Sequence, residues 1–202
     1  MLDQAIKFDP ALIAARLPST DLLPVEFDDL PQQGKYRVIA RRDVFRIAEQ
    51  RHVSDDPLAA AQLHVAACAW GAGTGGQNVA RALKPFHDPE AEAKLAKALQ
   101  VLRGEGPVSA YRALQGRLKI SGLNSGYFTK FLYFGGYGSK PQLGEPLIYD
   151  SNVVDTLNYL KVGEWVERGP ADMYGRYLDL ANDWAAELGT SPDVVERRLF
   201  GR

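Results

Sequence analysis

The chain has 202 residues, of which 46% are hydrophobic and 24% charged, with a formal net charge of −1. That length suits one domain or two small lobes sharing a core, and the ordinary composition excludes the disordered and fibrous classes. A near-neutral balance gives no global attraction to nucleic acid, so any DNA contact must come from local patches. No apolar run approaches the roughly 18 residues of a membrane helix, and "MLDQAIKFDP" lacks the organisation of a signal peptide. The expectation is a cytoplasmic, monomeric protein without membrane contact. Cys68 stands alone, which excludes an internal disulfide and a thiolate zinc cluster, and His52, His64 and His87 lack metal-ligand spacing.

In chain order, "DDLPQQGKY" (Asp28–Tyr36) reads as a loop between an N-terminal arm and a helical body. "KYRVIARRDVF" (Lys35–Phe45) follows as a short extended piece before a helix, with no alternating partner elsewhere. "PLAAAQLHVAACAW" (Pro57–Trp70) is rich in alanine and leucine, with proline at its start. "DPEAEAKLAKALQVLRG" (Asp88–Gly104) opens acidic and closes basic, as the helix dipole prefers. Five more helical stretches follow: "PVSAYRALQGRL", "SGYFTKFLYFGG", "DSNVVDTLNYLK", "ADMYGRYLDLANDWAAELG" and "SPDVVERRLF". Each begins near Ser, Asp or Pro, and most end near Gly. The fold class is therefore mostly α with little or no sheet, and no internal repeat or low-complexity segment interrupts it.

Several signals carry chemistry. "GAGTGG" (Gly71–Gly76) matches a dinucleotide fingerprint, but that motif works only when a strand leads into it, and here a helix does. The alternatives are a helix-to-helix loop, or a pocket wall in which Trp70 offers a stacking face and glycine admits close approach. His64, within the alanine-rich helix, reads as a core histidine. Arg37, Arg41, Arg42 and Arg46 form either a phosphate-facing stripe or, diluted by Asp43 and Glu49, a solvated face.

The stretch Leu118–Asp150 differs in kind. One helix enters a tight turn at "SGLNSG" and a second leaves from about Ser125, with Gly122 able to take a positive φ and Asn124 the non-glycine residue most tolerant of that geometry. This is a helix-hairpin-helix, spanning about residues 108–137. Its exposed N–H groups at the second helix's positive end suit a phosphate, gripped through backbone shape and not through sequence.

Here the chain resembles the helix-hairpin-helix DNA glycosylases, most closely the bacterial 8-oxoguanine DNA glycosylase-like branch. The residues that carry the resemblance are Ile120, Ser121, Gly122, Leu123 and Asn124 in the hairpin and Asp150 in "EPLIYDSNVV", within about Val108–Leu160. Two departures stand out: Asn124 replaces the second hairpin glycine, and Gly126 stands where the bifunctional members carry a Schiff-base lysine. Lys130 lies one helical turn further along. The resemblance implies a two-lobed helical enzyme acting on a modified base in double-stranded DNA. Lys119, Gly122, Asn124, Ser125 and Gly126 would hold a phosphate, and the carbonyls of Leu118, Ile120 and Leu123 a K⁺ or Na⁺ ion, with no other cofactor. The base is 8-oxoguanine by resemblance, or a hypermodified base of phage DNA in an antiviral enzyme.

Base excision requires flipping the base into a pocket and stabilising positive charge on the sugar. Asp150 suits the second task and is also a good helix N-cap. Lys130 has Tyr127, Tyr133 and Phe134 at helical-neighbour spacings, and desolvation by aromatic walls disfavours an ammonium charge, as an attacking amine requires. The same lysine could instead snorkel, its stem covering aromatic surface and its head in water or on a phosphate. Trp70, Tyr127 and Phe134 are the candidate base pocket. Three functions stay open: a lysine-dependent glycosylase with lyase activity, a monofunctional glycosylase in which Asp150 activates water, and a non-catalytic DNA-binding module.

Overall fold

A computed structural model describes residues 2–50, 56–139 and 141–201. His52 lies outside them. Among the described residues, helices dominate, and no helix is long and apolar enough to cross a membrane.

The N-terminal arm builds a sheet the sequence pattern did not reveal. Strand β1 (Ala5–Phe8) precedes the single-turn helix α1 (Pro10–Ala14), and β2 (Gln32–Gln33) leads into β3 (Tyr36–Ala40). The order is β1-β3-β2, antiparallel throughout, with Ile6 opposite Ile39 and Gln33 opposite Tyr36. The extended piece therefore does have partners, and "DDLPQQGKY" supplies one of them. Phe8 and Ile39 are fully buried, so even four-residue strands have a core face.

Helix α2 (Arg41–Gln50) follows directly on β3. The next helix, α3 (Pro57–Ala72), starts at an Asp56 N-cap and proline and ends at Gly73, φ +61. Thirteen of its sixteen residues are buried, which is what an all-round apolar, alanine-rich sequence dictates. It packs against α2, α5 (Ala91–Glu105), α7 (Ser125–Gly136) and β1, with α4 (Gly76–Leu83) crossing its end. The "GAGTGG" stretch is thus a helix-to-helix loop, without the leading strand a dinucleotide site needs.

Helix α6 (Pro107–Gln115) packs on α5, α7 and α9 (Ala171–Leu188), while α8 (Ser151–Tyr159) and α9 share α10 (Pro192–Phe200) as a neighbour. His64 is fully buried between Phe86 and Phe131, and desolvation pushes it down to about 4. It is a core histidine. The arginine stripe is corrected outright at one position, because Arg41 is 0% exposed and pairs with the equally buried Glu196 of α10.

Candidate functional site

Helices α6 and α7 are joined by a turn at residues 116–124. Gly122 takes φ +83, and the Leu123 N–H closes the turn on the Ile120 carbonyl at 3.2 Å. A side chain at 122 would also meet Lys84, whose Cγ would lie 2.9 Å from its Cβ. Asn124 corrects the expectation: its φ of −111 is extended, so it acts as N-cap of α7 and leaves the left-handed geometry to Gly122. Asn124 O receives the N–H groups of Tyr127 and Phe128, which leaves those of Ser125 and Gly126 as the orphan donors of the first turn. Lys119, on the same connection, is exposed.

Beyond the hairpin, Asp150 caps α8 and is delivered by an extended, buried segment, Leu147–Asp150, that pairs with no strand among the described residues. Its backbone groups are satisfied by side chains instead. Tyr174 Oη donates to the Leu147 carbonyl (2.9 Å) and accepts from its N–H (3.1 Å), while Tyr177 Oη donates to the Ile148 carbonyl at 3.0 Å. Thr129 Oγ1 accepts the Tyr149 N–H at 3.0 Å. Two tyrosines of α9 and a threonine of α7 thereby hold Asp150 against α7.

Lys130 and Asp150 meet there. Lys130 Nζ donates to Asp150 Oδ2 at 2.5 Å and to the Gly126 carbonyl, one turn back, at 2.9 Å. Only 6% and 8% of the two residues is exposed, so this lysine does not snorkel into water. A side chain at Gly126 would begin 3.5 Å from Asp150 Cβ, so the lysine's head reaches back to the same place. Asp150 Oδ1 meanwhile accepts the Val153 N–H at 3.4 Å, so one carboxylate both caps a helix and faces the amine.

The pair lies on the wall of a cavity of about 640 Å³. Trp70 and Tyr127, two of the three candidate pocket residues, line it together with Asn124 and Gly126 of the hairpin. Trp70 is nearly buried, held by its Nε1–H to the Gln4 carbonyl at 3.1 Å, with Arg41 over its ring at 4.9 Å. Tyr127 bridges to Asn78 of α4, and burial pushes its hydroxyl up to about 12. Phe134 is corrected: it does not line the cavity but packs edge-on behind Trp70 at 5.4 Å. Gly71 supplies the clearance Lys130 needs, since a Cβ there would fall 2.9 Å from the lysine Cδ. Sequence reasoning did not find Asn78, Arg81, Asn152, Glu167 or Arg168, which also face the cavity. They come from three separate stretches, and only packing assembles them.

A mostly helical fold with a hairpin between α6 and α7 and an amine–carboxylate pair beside a cavity fits the helix-hairpin-helix glycosylase class. The family described as "Putative 8-oxoguanine DNA glycosylase OGG-like protein" matches residues 1–200, and the chain belongs to that family. No curated protein and no solved structure matches it significantly.

Proposed function

We propose that this chain is a glycosylase that draws a modified base from duplex DNA into the cavity and breaks its glycosidic bond by attack of Lys130 at C1′. The observation that carries this reading is the 2.5 Å contact between Lys130 Nζ and Asp150 Oδ2 beside the cavity. As the C1′–N bond loosens, positive charge on the sugar develops next to the Asp150 carboxylate, which stabilises it. Asp150 takes a proton from the lysine, the Nζ lone pair bonds to C1′, and the glycosidic electrons leave with the base. The amine gives up two protons on the way to an iminium; carried by Asp150, they go to the departing base and to O4′ as the C1′–O4′ bond breaks. The resulting Schiff base is the route to lyase activity.

The hairpin residues Lys119, Gly122, Asn124, Ser125 and Gly126 would grip a phosphate near the lesion. By the resemblance, the carbonyls of Leu118, Ile120 and Leu123 would hold a monovalent cation, and Ile120 O, which accepts the Leu123 N–H at 3.2 Å, keeps a second lone pair for it. Such an ion would steady the turn against phosphate charge. The family points to 8-oxoguanine, and a cavity of about 640 Å³ also has room for a hypermodified base of phage DNA, which would make the enzyme a defence factor. Incubation with oxidised DNA and with modified phage genomes, followed by mass spectrometry of small products, is expected to show a free modified base. Release from none of them sinks the proposal.

The ion pair also serves a monofunctional reading in which Asp150 activates water. Borohydride separates the two, because only the lysine route leaves a protein–DNA adduct.

Gly71 provides a test of lysine placement. Gly71→Ala pushes a methyl group against the lysine stem, and a displacement of about 1 Å can cost about 100-fold in rate. We expect kcat to fall about 10- to 100-fold on that basis, with melting temperature unchanged or raised because alanine favours helix by about 1 kcal/mol over glycine. Steady-state kinetics beside thermal melts check it, and an unchanged kcat would show that the stem tolerates the methyl.

A further inference from the structure

Arg168 and Lys161 are the non-glycine residues with positive φ among the described ones, at +64 and +57. Side chains disfavour that region because Cβ crowds the following carbonyl. Lys161 has an ordinary reason to be there. It follows the C-cap of α8, its N–H bonds to the Asn158 carbonyl, and the Val162 N–H bonds to Leu157, which is a Schellman helix end.

Arg168 ends no helix: it is the third residue of a turn that the Gly169 N–H closes on the Val166 carbonyl at 3.0 Å, a position that glycine or asparagine ordinarily fills. Its conformation is imposed by a loop tied down on both sides. Upstream, Asn158 holds both Trp165 backbone groups at 2.9 and 3.0 Å, and Tyr149 Oη donates to the Val166 carbonyl at 3.1 Å. Downstream, Tyr111 Oη and Gln115 Nε2 donate to the Gly169 carbonyl at 2.9 and 2.8 Å. Glycine would relieve the strain at 168, yet the chain carries arginine there and glycine one residue later. The exposed side chain lines the same cavity as Lys130 and Asp150, and no described residue forms an ion pair with it. Strain kept at a pinned loop, with an unpaired cation on the wall of the cavity that also holds Lys130 and Asp150, marks a ligand contact.

We propose that Arg168 contacts the extruded nucleotide, its guanidinium fork engaging paired oxygen or nitrogen acceptors inside the cavity. The acceptors belong either to the edge of the base or to a flanking phosphate; a planar fork suits both. This inference rests on the glycosylase reading, and its test separates the two.

Arg168→Gly removes the guanidinium and the strain together, whereas Arg168→Lys keeps the charge and loses the fork. Both are compared with wild type on a duplex carrying the base that wild type releases, and on a duplex carrying a tetrahydrofuran abasic analogue. We expect Arg168→Gly to melt at or above the wild-type temperature while kcat/KM falls about 10- to 100-fold, the size of one lost bidentate contact, with Arg168→Lys falling as well. If the fork holds a phosphate, affinity for the abasic duplex falls in parallel and the salt slope drops by about one. If it reads the base, abasic affinity holds and only kcat/KM on the base-bearing duplex falls. Active wild type alongside variants with unchanged kcat/KM and affinity overturns the role of Arg168. Wild type that neither releases base nor binds the abasic duplex overturns the glycosylase reading and this inference together.

Discussion

Lys130→Met is expected to abolish the borohydride-trapped adduct and to lower base release on the order of 10³- to 10⁵-fold, the scale of losing a catalytic nucleophile. Lys130 has few partners. Among the described residues, its Nζ hydrogen-bonds to the Asp150 carboxylate and the Gly126 carbonyl alone. A lysine kept for stability alone has little reason to lie beside an open cavity with its stem in a groove cleared by Gly71. Methionine fills the same groove but leaves Asp150 buried with one weak backbone donor, so a cost of about 1–3 kcal/mol accompanies the change. Single-turnover assays at saturating enzyme separate that loss from the chemistry, since the surviving folded fraction still binds DNA. Lys130→Gln that releases base at the wild-type rate, from an enzyme that never traps, would instead assign the chemistry to Asp150 and water.

How far the site could be read in advance depends on how local each feature is. The hairpin was legible because turn chemistry resides in consecutive residues: Gly122 takes the positive φ its lack of a side chain allows, and α7 begins at Ser125. Asp150 was legible for the same reason, as a helix cap at a fixed distance from the hairpin. The sheet was not, because β1 has four residues and its partner β3 begins only at Tyr36, beyond a helix and two 3₁₀ turns. Nor was Asn124's extended backbone, since tolerance of left-handed geometry is a permission and not a demand. Gly71 reads in sequence as part of a helix-to-helix loop or a pocket wall, but the side chain that needs its clearance, Lys130, is 59 positions away and only the fold brings it there. Tyr174 and Tyr177 look like apolar helix positions, and only the fold shows that their hydroxyls stand in for a missing strand partner.

The buried pair between α2 and α10 supports the second large prediction, on stability. Arg41 reads in sequence as one of four nearby arginines on a polar face, because its counter-charge, Glu196, is 155 residues away. In the fold, Arg41 Nη1 lies 3.0 Å from Glu196 Oε2 and 3.1 Å from Tyr133 Oη, and Nε donates to Gln4 Oε1 at 2.8 Å. Burial pushes the Glu196 carboxyl up despite the pull of Arg41. The carboxylate is therefore a cost that its partner only partly offsets, and the danger lies in removing one charge and stranding the other. Glu196→Ala leaves the guanidinium without a counter-charge and is expected to cost about 3–5 kcal/mol, a large share of the roughly 5–15 kcal/mol that holds a domain folded. Replacing both residues, Arg41→Met with Glu196→Leu, removes both desolvation penalties and is expected to recover most of that loss. Urea melts of the two singles and the double close the cycle. A double variant no more stable than the worse single would mean that Arg41 contributes mainly through its hydrogen bonds to Gln4 and Tyr133 and its stacking on Trp70, ties that reach the cavity wall and that no apolar pair can replace.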